Sequence, residues 1–233
     1  MADDNKPIKY LRYAIGEIIL VVIGILIALQ INTWNENRRS NKREKNLLIE
    51  LKANLLTNVN NLNSDIDRQE KSARILHVLL DYLDHQKPYI DSLDYYFAEA
   101  DIAPDVVLTS SAFETLKSTG LDLIKKDGLR KEILNLFEVT YPTLMQNTKR
   151  IEDQVWSTAS VPMYQKHFRR EINGQARPID YDALLQDKEF TNMLSFRVSL
   201  REASTSDKIQ AVNETQKLIE FIENELIKRK ANN

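Results

Sequence analysis

The N-terminal part of the chain contains one uninterrupted apolar run. From Tyr13 to Ile31 the sequence reads YAIGEIILVVIGILIALQI, with Glu17 as its one charged residue. As a helix, these 19 residues would be about 28 Å long, close to the thickness of the bilayer hydrocarbon. The run contains 12 Ile, Leu or Val residues, which favour insertion by about 5 kcal/mol in total, whereas Glu17 opposes it by at most about 3 kcal/mol. The pattern predicts a transmembrane helix over residues 13–34, with Tyr10, Tyr13 and Trp34 at the membrane surfaces.

Two other interpretations of the run are a cleaved signal peptide and a buried core helix. A signal peptide has a shorter apolar stretch followed by small residues at a cleavage site, whereas this run ends in the bulky sequence QINTW. A core helix would need packing partners on every face. We therefore expect a permanent anchor that crosses the bilayer once.

Basic residues flank the apolar run on both sides. Five follow it and three precede it: Arg38, Arg39, Lys42, Arg43 and Lys45 after, and Lys6, Lys9 and Arg12 before. Taken alone, the positive-inside rule favours a cytoplasmic C-terminal part, although an N-terminal anchor can translocate a long domain regardless of nearby charge. The five that follow the run are also predicted to contact lipid headgroups.

The rest of the chain has a helical pattern. Neither glycine nor proline occurs between Gly24 and Pro88. Apolar positions in this segment recur at steps of three and four, and from Val59 they follow a heptad with Gln69 as its one polar member: Leu48, Leu51, Leu55, Val59, Leu62, Ile66, Ala73, Leu76, Leu80 and Leu83. We expect the transmembrane helix to continue into a long stalk helix of coiled-coil type, with a possible break in the asparagine-rich tract 58–63.

Shorter helices are predicted after Pro88. The pattern indicates a helix over 89–100, a connection over 102–109 and a helix opened by a capping box at Ser111–Glu114 and ended by Gly120. Asp127 is placed to cap a helix with Leu129, Ile133, Leu136 and Phe137 on its apolar face, kinked at Pro142 and continuing toward Phe168.

A loop over 173–178 and a final helix over 187–230 complete the prediction. The clearest apolar positions of that helix are Val212, Ile219, Ile222 and Leu226, with a possible interruption at 204–207. The predicted fold is all-α: a tail over 1–12, a transmembrane helix over 13–34, and an antiparallel helical bundle over 35–233.

Composition supports long helices. Only 5 glycines and 6 prolines occur in 233 residues, too few for a many-stranded β-fold or for the glycine-rich loops of nucleotide-binding α/β domains. Zero cysteines exclude disulfides and thiolate chemistry. With 32 basic and 34 acidic residues, no overall charge attracts nucleic acid, and no nucleic-acid partner is expected.

The segment Lys9–Arg39, KYLRYAIGEIILVVIGILIALQINTWNENRR, resembles the start of an uncharacterised family of single-pass membrane proteins from Bacteroidota. A looser similarity continues in SAFETLKSTG, at residues 111–120. The resemblance implies a membrane anchor followed by a helical region, but no activity. It also implies that the bundle lies in the periplasm of a bacterial cell, anchored in the inner membrane, although the short tail with Asp3 and Asp4 differs from the longer basic tail of the family.

Several polar and small residues of the run are candidate functional positions. A carboxylate such as Glu17 is costly in lipid, so it could line an oligomeric pore, relay protons or bind a cation, or else reach the headgroups or Arg12. Gln30 and Asn32 could form hydrogen bonds between helices or, at the edge of the membrane, be hydrated by water. Gly24 and Ala28, with Gly16 on a similar face, would allow close approach of another helix and hence self-association.

Catalytic and metal-binding motifs are absent from the sequence. His77, Asp81 and His85 lie on one helical face but extend too far along it to bind one ion, so we expect a solvated face. His167 has no obvious partner, and Ser110 and Ser111 are better explained by capping than by nucleophilic catalysis. We expect no enzymatic activity, metal or cofactor.

These patterns favour a membrane-anchored helical interaction or sensory module. Its expected partners are the lipid bilayer and a second copy of the chain or another membrane protein. The alternative is a homo-oligomeric channel or transport subunit with Glu17 in a shared interior. Loss of ion flux on Glu17→Gln would favour the channel.

Overall fold

The structure is a computed structural model that describes the backbone of residues 6–103, 105–172 and 174–231, and the side chains of 15–103, 105–172 and 174–229. It confirms the all-α fold, with a long N-terminal helix followed by a helical region and very little sheet. The chain divides into two compact units, Met1–Leu48 and Ile49–Asn233. The apolar run belongs to the first unit and the helical bundle to the second.

Helix α1 extends from Lys6 to Asp84, which confirms the predicted long helix, and the alternative of a break in the asparagine-rich tract is wrong. The asparagine side chains explain the continuity, because they bond to a neighbouring segment instead of to their own backbone. Asn58 is buried, and its amide donates to the Thr109 carbonyl at 2.9 Å and accepts from the Thr109 N–H at 2.7 Å. Asn61 donates to the Val107 carbonyl at 2.8 Å. The low helix propensity of asparagine is therefore offset by tertiary hydrogen bonds.

Helix α2 is Leu93–Asp101 and helix α3 is Ser111–Thr119. The predicted start of α2 at residue 89 is four residues too early. The predicted capping box is also wrong: the N-cap of α3 is Ser110, whose side chain forms no capping bond. Ser111 instead donates its hydroxyl to Asn54 at 3.0 Å. Gly120 ends α3 as predicted, at φ +113°, and a short 3₁₀ turn, Leu121–Leu123, follows it.

Residues 127–167 are helical throughout but alternate between α and π geometry. Helices α4 (Asp127–Asn135), α5 (Tyr141–Met145), α6 (Ile151–Val155) and α7 (Val161–His167) are joined by the π-helical turns Leu136–Thr140, Gln146–Arg150 and Trp156–Ser160. Lys126 rather than Asp127 is the N-cap of α4. Pro142 lies in the first turn of α5, where its missing N–H is tolerated. The four predicted apolar positions of α4 and the first π turn are buried: Leu129, Ile133, Leu136 and Phe137.

The predicted loop over 173–178 is in part a strand. Strands β1 (Phe168–Arg170) and β2 (Ala176–Pro178) form an antiparallel hairpin in which Phe168 lies opposite Pro178. Helix α8 is Tyr181–Gln186, and helix α9, Lys188–Ala231, continues through 204–207 without the expected interruption. Asp187 precedes α9 and accepts the N–H groups of Glu189 and Phe190, both at 3.0 Å.

Helix α9 is antiparallel to both other long helical stretches of the second unit. On α1, Asp65 pairs with Lys208 and Lys52 with Glu223, so residue numbers fall on one helix as they rise on the other. The same order holds for 127–167, where Glu152 contacts Arg201 and Tyr141 contacts Thr215. An aromatic cluster fills the core near α2 and the hairpin: Phe97, Tyr164, Phe168 and Phe190.

The predicted heptad on α1 is correct at every second position and wrong by one residue at the positions between them. Leu62, Leu76 and Leu83 are buried as expected. Ile66, Ala73 and Leu80 are only partly buried, and the residues one position earlier lie in the core instead: Asp65, Ser72 and Leu79. Two of these three are polar, which is why a search for apolar positions misplaced the buried face.

Candidate functional site

The apolar run is the first candidate site, and its side chains are exposed throughout the part that the structure describes. Leu20 is 73% exposed and the least exposed large residues of the run, Ile15 and Val22, are each 48% exposed. Mean hydropathy reaches 2.3 in an 18-residue window of this helix. Within the described residues, one helix is thus long and apolar enough to cross a membrane.

The polar residues singled out in the run are likewise exposed. Glu17, Gln30 and Asn32 all point away from packed protein, and Asn32 donates to Glu36, one turn further along, at 2.9 Å. A Cβ atom added at Gly16 or at Gly24 would meet no atom within 4 Å. Ala28 is exposed as well, so the face bearing Gly24 and Ala28 is open to another helix.

The basic cluster after the run is mostly exposed. Arg38, Arg39, Lys42 and Arg43 are exposed and Lys45 is half-buried. The Arg38 guanidinium lies over the Trp34 ring, 5.9 Å from its centre. The tail over 1–12 and the side chains of Tyr10, Arg12 and Tyr13 lie outside the described side chains, so the contact of Glu17 with Arg12 and the role of the two tyrosines stay predictions.

A second candidate site, which the sequence did not reveal, is a row of buried cations on α9. Arg197 and Arg201 have no exposed surface, and Lys208 is 1% exposed. Their spacing of four and seven residues places them on one face of the helix. Each faces an acidic side chain from another element of the bundle, and these are Asp101 at the end of α2, Glu152 on α6 and Asp65 on α1. We call these six residues the buried charge row.

Arg201 is the centre of the buried charge row. Its guanidinium forms an ion pair with Glu152, donates through Nε to the Ser72 hydroxyl at 3.2 Å, and donates to the Ile102 carbonyl at 3.1 Å. Burial lowers the pKa of Arg201 to about 10, and the Glu152 carboxylate opposes that effect. One side chain thereby connects α1, the segment after α2, and α6.

Arg197 and Lys208 occupy the two ends of the row. Arg197 donates to the Ser160 hydroxyl at 3.0 Å and lies 3.9 Å from the Asp101 carboxylate, which also pairs with Arg170 of the hairpin. Lys208 pairs with Asp65 and donates to the Ser204 hydroxyl at 2.8 Å. Burial lowers the pKa of Lys208, although the bond to Asp65 favours its charged form.

Two cavities adjoin the buried charge row. One of about 130 Å³ is lined by Lys208, Glu152 and seven other residues, and one of about 330 Å³ is lined by Ser72 and residues of α1 and α2. Both are bordered by Ala103 and Asp105. The row itself lines the smaller cavity, and the larger cavity is lined by Ser72, which accepts a hydrogen bond from Arg201.

The histidines are not brought together. His77 and His85 are exposed, paired with Glu202 at 3.4 Å and with Asp81 at 3.1 Å respectively. His167 is buried and lies 2.8 Å from Asp187, the partner that sequence reasoning did not find. The part of the chain that the structure describes holds no group of three His, Asp or Glu side chains able to bind a metal ion.

A sequence signal for the buried charge row exists. The predicted apolar positions Ile219 and Val212 of α9 are seven residues apart, and Lys208 lies four residues before Val212. The same alternation of seven and four residues continues to Arg201 and Arg197. A cation that continues a buried apolar stripe is itself buried. Because an unpaired buried charge is strongly destabilising, such a cation needs a buried anion nearby.

Comparison with known proteins gives a family but no activity. Neither the curated proteins nor the solved structures include a match to this chain. One family model matches residues 17–203, which is more than half of the chain. The match includes most of the apolar run and every residue of the buried charge row except Lys208. The chain therefore belongs to DUF6090, a family of unknown function.

Proposed function

We propose that this protein is a membrane-anchored, non-catalytic helical module. The apolar run would anchor it in a bacterial inner membrane, and the bundle would act outside the bilayer as an interaction or sensory domain. The observation that carries the proposal is the run itself, in which all large apolar side chains from Ile15 to Ile31 are about half or more exposed. In water such a surface would be strongly unfavourable, whereas lipid solvates it.

Two neighbouring features support a membrane location. The basic residues that follow the run can contact anionic headgroups, each contributing about 1 kcal/mol near the surface. Trp34, at the end of the run, is 64% exposed and is of the residue type enriched at the membrane surface. We further propose that the bundle faces the periplasm.

A second copy of the chain is the partner that we propose within the membrane. Gly24 and Ala28 form a pair of small residues four positions apart on an exposed face. Small residues let two helix backbones approach closely, so that packing and interhelical hydrogen bonds can hold them together. Gln30 and Asn32 supply polar side chains near the end of the apolar run.

Membrane anchoring is tested with the full chain and the double variant Val22→Lys/Leu26→Lys. Two lysines at the centre of the span would oppose insertion by about 6–8 kcal/mol, more than the roughly 5 kcal/mol that favours it. We expect the wild type to stay with membranes after an alkaline wash and the variant to be released. Val22→Leu/Leu26→Val is the matched control and should stay. Full-length wild type in the aqueous fraction of cells broken without detergent would refute the proposal.

Self-association is tested by disulfide cross-linking, which has no background because the chain has no cysteine. A reporter cysteine at Asn35, eleven residues after Gly24 and therefore on the same helical face, should give a cross-linked dimer in membranes, and Gly24→Leu should reduce its yield several-fold by preventing close approach. Ile23→Leu, a change beside that face, should leave the yield unchanged. Equal yields in all three proteins would exclude the Gly24 face as the contact.

The side of the membrane is tested with cysteines at Ser206 and at Asp3. A membrane-impermeant thiol reagent added to spheroplasts should label the cysteine at 206 and not the one at 3. The opposite labelling would place the bundle in the cytoplasm and refute the periplasmic assignment.

A further inference from the structure

The smaller cavity beside the buried charge row is unusually polar for the interior of a helical bundle. Its volume is about 130 Å³, and its lining includes five buried polar side chains: Gln69, Thr148, Glu152, Ser204 and Lys208. Apolar side chains of similar volume at such positions would stabilise the packing as well as or better than charges do. Helix packing alone does not account for this cavity.

The lining of the cavity has more carboxylates than ammonium groups. Three carboxylates line it, from Asp105, Glu152 and Asp153, against two ammonium groups, from Lys149 and Lys208. Lys149 is already paired with Asp105 at 2.7 Å and with Asp153 at 3.6 Å. Lys208 is already bonded to Asp65 and Ser204. The cations of the lining are thus occupied by carboxylates.

Glu152 has unused hydrogen-bonding capacity. Its Oε1 atom pairs with Arg201, but within the described residues its buried Oε2 atom has no hydrogen-bond partner. The residue is only 5% exposed, so bulk water does not solvate this oxygen. A buried carboxylate oxygen without a donor costs about 1–3 kcal/mol or more, which a bound donor would recover.

We infer that this cavity is a binding site for a small primary amine in its ammonium form. The ammonium group supplies the donor that the Glu152 Oε2 atom lacks, and its charge is attracted to the three carboxylates of the lining. The volume corresponds to roughly four water molecules at about 30 Å³ each, which limits the ligand to four or five non-hydrogen atoms. Asp153, whose side chain is 66% exposed, marks the solvent side of the site. Such a ligand would give the proposed sensory domain something to sense, but the site does not depend on membrane anchoring.

Three probes of equal size test this inference: ethanolamine as its hydrochloride, ethylene glycol and sodium acetate. Each has four non-hydrogen atoms, and they are respectively cationic, neutral and anionic at pH 7. Binding is measured by calorimetry and thermal unfolding on the full chain in detergent micelles, at constant ionic strength. A dissociation constant of about 1 mM is expected for ethanolamine because so few atoms make contact. At about 10 mM it should raise Tm by about 3–6 °C, and the other two should not.

Two variants and one control locate the binding. Glu152→Gln should weaken ethanolamine binding at least about 10-fold, with circular dichroism confirming the fold because this change also removes the ion pair with Arg201. Asp153→Asn alters only an exposed carboxylate and should weaken binding about 2–5-fold. Glu138→Gln, an exposed glutamate outside the cavity that pairs with Lys117, should bind as the wild type does.

Either of two results would overturn the inference. Ethylene glycol or acetate stabilising the protein as much as ethanolamine would show that the cavity does not select an ammonium group. Unchanged ethanolamine binding in both Glu152→Gln and Asp153→Asn would show that ethanolamine binds outside this cavity. Because these measurements use detergent-solubilised protein, they fail or succeed independently of the membrane experiments.

Discussion

The ion pair between Lys208 and Asp65 offers the sharpest test of how the bundle is held together. Both side chains are buried, with exposed fractions of 2% and 0%, and they join α9 to α1. Lys208→Met removes the charge while keeping a side chain of similar length. Asp65 then remains in the core with one cationic neighbour, Arg68, at 2.8 Å.

The expected size of the effect follows from this geometry. Removing one partner of a buried ion pair costs about 3–5 kcal/mol, because the other charge is left uncompensated. Arg68 still compensates part of the Asp65 charge, so we expect the lower end, a loss of about 3 kcal/mol in the free energy of unfolding. For a domain of this size the Tm should fall by about 6–12 °C.

The double variant Asp65→Leu/Lys208→Met separates charge from packing. It leaves neither charge in the core, so its stability should lie within about 1 kcal/mol of the wild type, well above that of Lys208→Met. Urea unfolding of the full chain, followed by circular dichroism in one fixed detergent, gives all the free energies. Single and double variants of equal stability would refute the reasoning, as would a Lys208→Met protein within 1 kcal/mol of the wild type.

Three further predictions concern the connections around the bundle. Asn58→Ala leaves both backbone groups of Thr109 without their partner, and should lower the free energy of unfolding by about 2–4 kcal/mol in urea titrations. Gly120→Ala places a Cβ at φ +113° and 2.6 Å from an Asp122 oxygen, and should cost about 1–3 kcal/mol in the same assay. The pKa of Asp187 is well below its usual range, chiefly because the Lys166 ammonium bonds to its carboxylate. The Phe190 N–H of α9 and the His167 ring lower this pKa further. The ionised Asp187 carboxylate therefore stabilises the fold above the unfolded-state pKa of about 3.9, and this stabilisation is lost progressively as pH falls below that value. The Asp187→Asn protein should consequently lose less stability than the wild type between pH 5 and 3.

Much of the architecture could be predicted from hydrophobic spacing and from the rarity of glycine and proline. The long first helix, the end of α3 at Gly120 and the apolar face of α4 follow from local rules that tertiary contacts do not override. The apolar run was visible for the same reason, since insertion energy is nearly a sum over residues.

The errors arise where a polar side chain bonds to a distant part of the chain. The asparagine tract looked like a weak point because propensity counts only local effects, yet Asn58 and Asn61 hold the segment 107–109 against α1. Ser111 looked like a cap because Glu114 follows it at the right spacing, yet its hydroxyl donates to Asn54. Spacing along one helix carries no information about such partners.

The misplaced heptad on α1 and the missed cations on α9 have one physical cause. A rule that assigns core positions only to apolar residues misses Asp65 and Ser72 on α1. It also misses Lys208 and Arg201 on α9, which contact Asp65 and Ser72 respectively. A buried charge is tolerated only with a partner, so an interrupted stripe on one helix implies a complementary interruption on its neighbour. Applied to this sequence, that reasoning requires carboxylates opposite each cation that continues the apolar stripe of α9. It points from the sequence alone to the buried charge row.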